Sequence, residues 1–491
     1  MRRILASVLL VFAACNKQDS GDLVVAERDA DGDGFESGTD CDDSDPDVYP
    51  GAPEVPDDEV DQNCDGIDRD AAPLSTLGAA VAGSYPSSTF GHDAHAGDLD
   101  GDGRADAVVS APYFVDDDEP PLEVWLVTAP TGAPARYAEV IGDQGTIVSL
   151  DVVNEDGVDQ AILSYLAGVV GFRAPWLGDV RFEEADVTYT PGFVILAHGD
   201  FDGDGVQDMA FGDFTEDEWR GNAHVHFGPL SQTGNTLEGD VILQGAQSYD
   251  LFAEAMVTGD VDGDGHQDLL VAAHGEPSGR GVGSVYVFSG PTLAGTLSVD
   301  DAWARYTGVN EQGYVGGSDG SSLRAEDVTG DGATDLLIPA QGGGPEAPGA
   351  YGGVVWLIDA PAPGSHELVA SVPHLVSDAT GSWLGAAAAV GPDLNGNGLP
   401  ELLISAASGY SHYPGAIYGF DLPIDPERFD TASADYAIVG DQPGDAAGNS
   451  LAPGDFDGDG RVDLLVGAPG VDTPLGADVG TVTLVLAGAL P

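Results

Sequence analysis

Six stretches of this chain set oxygen-bearing side chains at alternate positions around a turn, in the phrase Asp-x-Asp-x-Asp-Gly-x-x-Asp or a close variant. The copies supply Asp98, Asp100, Asp102 and Asp106; Asp200, Asp202, Asp204 and Asp208; Asp260, Asp262, Asp264 and Asp268; Asp327, Thr329, Asp331 and Asp335; Asp393, Asn395, Asn397 and Glu401; and Asp455, Asp457, Asp459 and Asp463. Side chains at positions one, three, five and nine can converge on one cation, and glycine at six permits the sharp turn. The backbone carbonyl at seven, from Arg104, Val206, His266, Ala333, Leu399 or Arg461, adds a further oxygen. With no Cys and one His inside these loops, thiolate and imidazole metals are disfavoured, and a shell of about six to eight oxygens suits Ca2+ better than Mg2+. Asp-Gly pairs also form plain solvated turns, but a turn alone does not require oxygen ligands at one, three and five together.

The elements that must position these loops follow from their flanks. An EF-hand loop closes with an acid at position twelve between helices, whereas position twelve here is apolar. Each phrase runs into a short apolar segment that reads as a buried strand, such as Ala107 to Pro112, Leu269 to Ala273, Leu336 to Pro339, Leu402 to Ala406 and Leu464 to Pro469. A second strand follows after a Gly-rich gap, as in Gly283 to Gly290, Gly353 to Asp359, Gly415 to Phe420 and Gly480 to Gly488. A worn copy, Val152 to Gln160, keeps Asn154 and Asp156 as weak candidate ligands but has Val152 at position one and Gln160 at nine. Seven units of about 60 residues predict an all-β fold, a seven-bladed β-propeller of four-stranded antiparallel blades. Only two strands fit between the last phrase and Pro491, so Leu74 to Gly83 is expected to supply the missing strand and close the ring.

Phe90-Gly91 and Gly467-Ala468-Pro469 frame this region, Ser110-Ala111-Pro112 is a close variant, and Phe252-Ala253 and Trp383-Leu384-Gly385 are blurred versions. On these motifs residues 74–491 resemble the FG-GAP repeat of the integrin α-subunit propeller and its free-standing bacterial relatives. The resemblance implies Ca2+ between the first and second strand of each blade, and partners or ligands on the opposite face.

The N-terminal region obeys different rules. Arg2 and Arg3 precede an apolar run from Ile4 to Ala14, too short to span a bilayer, so residues 1–14 read as a signal peptide. Phe12-Ala13-Ala14-Cys15 resembles a bacterial lipobox, with Phe where Leu is usual. Cys15 would then carry lipid at the head of a tether over 15–28; the alternative is an ordinary signal peptide cut elsewhere. The expected location is accordingly the outer membrane or cell surface as a lipoprotein, otherwise secreted. Setting Cys15 aside leaves Cys41 and Cys64, expected as a disulfide in an exported protein, with zinc as the alternative. They belong to an acidic module over 29–70, where Asp29, Asp31, Asp33, the backbone of Phe35 and Asp40 trace an EF-type loop without flanking helices. The module resembles the short metal-binding motif, rich in DCDD and NCDG, of exported myxobacterial proteins. With it, the chain is expected to hold about six to eight Ca2+ ions.

Composition narrows the partners. Fifteen Lys plus Arg against 84 Asp plus Glu give a formal net charge of -69, which repels nucleic acid and anionic lipid and leaves the lipid on Cys15 as the expected membrane attachment. No catalytic residues are assigned: the ten His are scattered, and His92, His95, His224 and His226 read as surface or strand-packing residues. Tyr113, Phe114, Trp219, Tyr351, Tyr410 and Tyr413, on the second turns, are candidate ligand contacts. The expected function is a calcium-binding, surface-tethered module that binds extracellular protein or polysaccharide in adhesion. The alternatives are a structural envelope protein without a discrete ligand and a polysaccharide lyase or hydrolase.

Overall fold

The computed structural model describes residues 71–491 except 86, 112–122, 129–134, 142–146, 156, 166–167, 177–178, 192–193, 230–232, 278, 318–321, 341, 344–351, 378–381, 408–412 and 491; before them it describes 35, 44–46 and 48–49. The strands among them form seven sheets, the blades of a β-propeller. Blade four shows the plan, with Phe252–Gly259, Asp268–Ala273, Ser284–Phe288 and Ala304–Thr307 paired antiparallel in chain order. Its second strand, Asp-Leu-Leu-Val-Ala-Ala, is buried along its whole length. Such strands read as continuous apolar runs because each blade is covered on both faces by its neighbours. The cores accordingly lie between blades: Leu270 and Val285 of blade four pack with Leu336 and Trp356 of blade five.

The first strands of blades one to seven are Asp93–Gly97, Ile147–Glu155, Ile195–Gly199, Phe252–Gly259, Arg324–Glu326, Leu384–Val390 and Ser450–Gly454. They adjoin one another around the axis from blade one to blade five and again from blade six through blade seven to blade one, where Asp93–Gly97 lies against Ser450–Gly454 and the ring meets itself; Leu384–Val390 of blade six meets the second and third strands of blade five. That seam is held by the N-terminal segment. Ala80–Ala82 pairs antiparallel with Thr481–Val485 as the outer strand of blade seven, Val81 opposite Val482. The rest of the expected strap is not strand, since Leu74–Leu77 forms one helical turn. Ala72–Pro73 runs parallel to Tyr436–Val439 of blade six, so the segment grips two blades.

Five sheets carry a fifth strand that the four-stranded expectation lacked. In blades one to four it comes from the segment after the next blade's third strand. Gly295–Ser298, which follows the third strand of blade four, runs parallel to Val241–Gln244 of blade three. Each such clasp protects an outer edge and ties two blades through main-chain bonds.

The second strands begin one residue earlier than their apolar runs suggested, at position nine itself: Asp106, Asp208, Asp268, Asp335, Glu401 and Asp463. Each acid is thereby carried into the buried edge of its blade.

Candidate metal centres

Each phrase forms the turn between first and second strands. Glycine at position six adopts a left-handed backbone, with φ +87° at Gly103, +85° at Gly205 and +90° at Gly265. Its N–H donates to Oδ2 of position one, at 3.1 Å for Gly103 to Asp98 and 3.0 Å for both Gly205 to Asp200 and Gly265 to Asp260. Position nine folds back on the loop start: Asp268 Oδ2 accepts from Val261 and Asp262 at 2.9 and 3.1 Å, and Asp335 Oδ2 from Val328 and Thr329 at 2.9 and 2.8 Å.

These bonds draw positions one, three and nine together. Carboxylate oxygens lie within 4.8 Å of one another in Asp98, Asp100 and Asp106; in Asp200, Asp202 and Asp208; in Asp260, Asp262 and Asp268; and in Asp455, Asp457 and Asp463. Position five falls outside these triplets. Asp102, Asp204, Asp264, Asp331, Asn397 and Asp459 instead accept the N–H of position seven, from Arg104, Val206, His266, Ala333, Leu399 and Arg461, at 2.8 to 3.0 Å. Successive loops also interlock. The ring of His266 stands over Gly203 of the preceding loop, and Gln267 accepts the N–H of Asp200 at 3.2 Å.

The residues fit a hard cation. Oδ1 of Asp200, Asp260 and Asp393, at position one, is buried without a hydrogen-bond partner, as is Oδ1 of Asp335. Orphaned anionic oxygens are costly unless a positive charge meets them. Burial, reinforced by the charge of Asp100, pushes Asp106 up to about 7, and burial pushes Asp268 up to about 6. Burial raises Asp208, Asp335, Glu401 and Asp463 in the same direction. An oxygen-lined site that opposes ionisation of its own carboxylates is one that a divalent cation stabilises.

Blade two is different. Its first two strands pair down to Glu155 opposite Val158, so the worn phrase closes as a tight turn, and the side-chain amide of Asn154 donates to Asp159 Oδ1. Asn154 is committed to that bond, and Asp156 lies outside the described residues. Asp159 Oδ2 accepts the N–H of Asp98 at 2.6 Å, so blade two braces the loop of blade one.

In the N-terminal module Phe35 stacks on Tyr49 with ring centroids 5.5 Å apart. Cys15, Asp29, Asp31, Asp33, Asp40, Cys41 and Cys64 lie outside the described residues, as do Tyr113, Phe114, Tyr351 and Tyr410. Trp219 is half-buried against Phe214, and Tyr413 packs against the core of blade six. Tyr249, 57% exposed beside the second turn of blade three, was missed because it sits in a link rather than a turn.

Four histidines, His95, His198, His224 and His274, lie against carboxylates. His224 Nε2 lies 2.9 Å from Glu216, and burial holds His226 below the usual imidazole range. His95 joins two groups that sequence reasoning passed over: its Nδ1 is 3.7 Å from Asp151 Oδ1, and His198 Nδ1 is 2.7 Å from Asp151 Oδ2. The carboxylate of Asp151 raises His198. An open cleft of about 1030 Å3 lies between blades four and five, where His366 stacks on Tyr306.

Comparison with known proteins agrees with this arrangement. The FG-GAP repeat model matches residues 90–119, 252–288 and 447–485, in blades one, four and seven, and the Cu-binding MopE metal-binding motif matches 40–70. Integrin alpha-PS2 of Drosophila melanogaster is 30% identical over 231 residues, 43% of this chain and 15% of that protein. Integrin alpha-IIb is 26% identical over 284 residues in Mus musculus and 27% over 282 in Homo sapiens, in each case 54% of this chain and 25% of that protein. The chain thus spans a quarter or less of the length of these relatives.

Proposed function

We propose that the protein is a calcium-stabilised propeller displayed outside the cell, and that the face opposite its metal loops binds an extracellular protein. Oxygen-only ligand sets at positions one, three, five and nine favour Ca2+, and the lipobox-like Cys15 supplies the means of display. Among the described residues no helix is long and apolar enough to cross a membrane.

The observation that carries the binding is the sidedness of the exposed apolar side chains. In an antiparallel blade the first and third turns share one face, and the second turn shares the other with the link to the next blade. Five large apolar residues are exposed among the described residues: Tyr85, Tyr249, Val309 and Leu475 stand on second turns or links, and Leu399 alone stands on a metal loop. Tyr249 is also the neighbour of Trp219, since the 249 and 251 N–H groups donate to the carbonyls of Glu218 and Trp219. Exposed aromatic and aliphatic groups gathered on one face are the raw material of a protein interface.

Arrays of extracellular proteins and of glycans, probed with calcium-loaded protein, test this. Binding to a protein should weaken about tenfold in Tyr249→Ala, a contact worth about 1.4 kcal/mol, with no change in melting temperature. A ligand that responds to Leu399→Ala and ignores Tyr249→Ala puts the site on the wrong face. Capture of glycans alone replaces the protein partner with a polysaccharide, and silence on both arrays sinks the reading.

A further inference from the structure

The residue directly across the strand pair from position nine differs from blade to blade in a telling way. In blade six Glu401 faces Asp421. Continuing the register of the other blades by one residue sets Thr128 opposite Asp106, Phe227 opposite Asp208, Ser289 opposite Asp268, Asp359 opposite Asp335 and Leu486 opposite Asp463. In blade two Gln160 faces Arg173. A carboxylate therefore occupies this place in blades five and six, the two whose phrase lacks an acid at position three, where Thr329 and Asn395 stand. The four blades with Asp at position three have none there, and the blade with a collapsed loop has a cationic side chain instead.

The local contacts agree. The side-chain amides of Asn395 and Asn397 donate to the two oxygens of Asp421 at 2.9 and 2.5 Å, which places that carboxylate against the loop. In blades three, four and seven, Oδ1 of position nine accepts the N–H of the residue just beyond the facing one: Gly228 at 2.7 Å, Gly290 at 3.0 Å and Ala487 at 2.8 Å. Blade five offers no such bond. Asp335 is fully buried and its Oδ1 has no partner. Like charges directly opposite across a strand pair are destabilising, and an unpartnered buried anion more so. A cation shared between them removes both costs.

We infer that Asp359 and Asp421 are cation-binding carboxylates of blades five and six, supplied from the end of the third strand in place of the acid missing at position three. The inference rests on the calcium reading above. Blade five then offers Asp327, Asp331, Asp335 and Asp359, as many carboxylates as an unaltered phrase, and blade six offers Asp393, Glu401 and Asp421. Calcium affinity follows the count of charged ligands, so these two residues decide whether their blades load at all.

The full chain, stripped with chelator and titrated with Ca2+ by calorimetry, gives the count of bound ions. Asp359→Asn and Asp421→Asn should each lose one ion or weaken one site at least roughly tenfold, while Ser289→Asn in blade four loses none. Thr329→Asp in the Asp359→Asn background, and Asn395→Asp in the Asp421→Asn background, should restore the lost ion. Melting separates this from a merely structural role. In chelator, where a repulsion has been removed, Asp421→Asn should melt no lower than the parent; in Ca2+ it should melt lower. An unchanged ion count in both variants, or equal destabilisation with and without Ca2+, overturns the inference while the remaining loops still bind. A parent protein that takes up no Ca2+ overturns the calcium reading and this inference with it.

Discussion

Blade four and blade two carry the same hairpin at the same place in the ring and hold it closed by different means. In blade four the strands pair as far as Gly259 opposite Asp268 and leave eight residues for the loop, at whose base Asp260, Asp262 and Asp268 face one another, with Oδ1 of Asp260 left unpartnered. In blade two the strands pair until two residues are left for the turn, and Asn154 binds Asp159 within the protein. One hairpin gathers carboxylates that repel one another unless a cation lies among them; the other is held by hydrogen bonds of its own. The loss of acids at positions one and nine of blade two is therefore a conversion to a different kind of turn, with Arg173 standing across from Gln160.

The largest effect should come from removing the cation. A chelator is expected to lower the melting temperature strongly, because each ion at a hundredfold excess over its Kd contributes about 2.7 kcal/mol and several are removed together. Hydrogen exchange resolves the two hairpins: amides of 252–273 should lose protection in chelator while those of 147–165 hold theirs relative to the rest of the ring. Equal loss in both would erase the distinction.

Asp268→Asn comes next. Asp268 accepts three backbone N–H groups through both oxygens, whereas an amide accepts through one and turns a donor toward the remainder, so the variant should lose on the order of 3 kcal/mol in urea melts as well as one bound ion. The matching change in blade two, Asp159→Asn, keeps one of two bonds. It should cost about 1 kcal/mol, equally with and without Ca2+. A calcium-dependent cost at Asp159 would show that the blade-two turn takes part in the site of blade one.

The smallest effect is one of pH. Asp106, raised to about 7, and Asp268, raised to about 6, keep protons in the folded apo-protein that the unfolded chain has already released. Their contribution is present in full at pH below 4 and is lost as pH rises through 6 and 7, so chelated protein should be more stable at pH 5 than at pH 8. With Ca2+ the order should reverse, since binding requires the ionised carboxylates. Melts at both pH values that rank the same way with and without Ca2+ would contradict the arrangement.

The phrases and their count were legible because ligation and turn geometry both demand particular side chains at fixed positions, from Asp98 to Asp463. The propeller followed from that period. The fifth strands were not legible: Gly295–Ser298 and Gly364–Glu367 are four-residue, mostly polar segments with no apolar alternation to betray them. The cross-strand acids were hidden for another reason. Asp359 and Asp421 lie 24 and 20 residues beyond the ends of their phrases, and only the register of the third strand brings them opposite position nine. Asp151 and His198 are likewise united by the ring, not by the chain.

The seam has a mechanical side. Ala72–Pro73 and Ala80–Ala82 are the strands that join blade six and blade seven to the start of the ring, and they lie between the rest of the propeller and any pull from upstream of residue 71. Tension applied there would strip the Val81 to Val482 pairing before it reached any metal loop. Were the module held by its N-terminus, as proposed above, load would fall on its own clasp and open the ring there first.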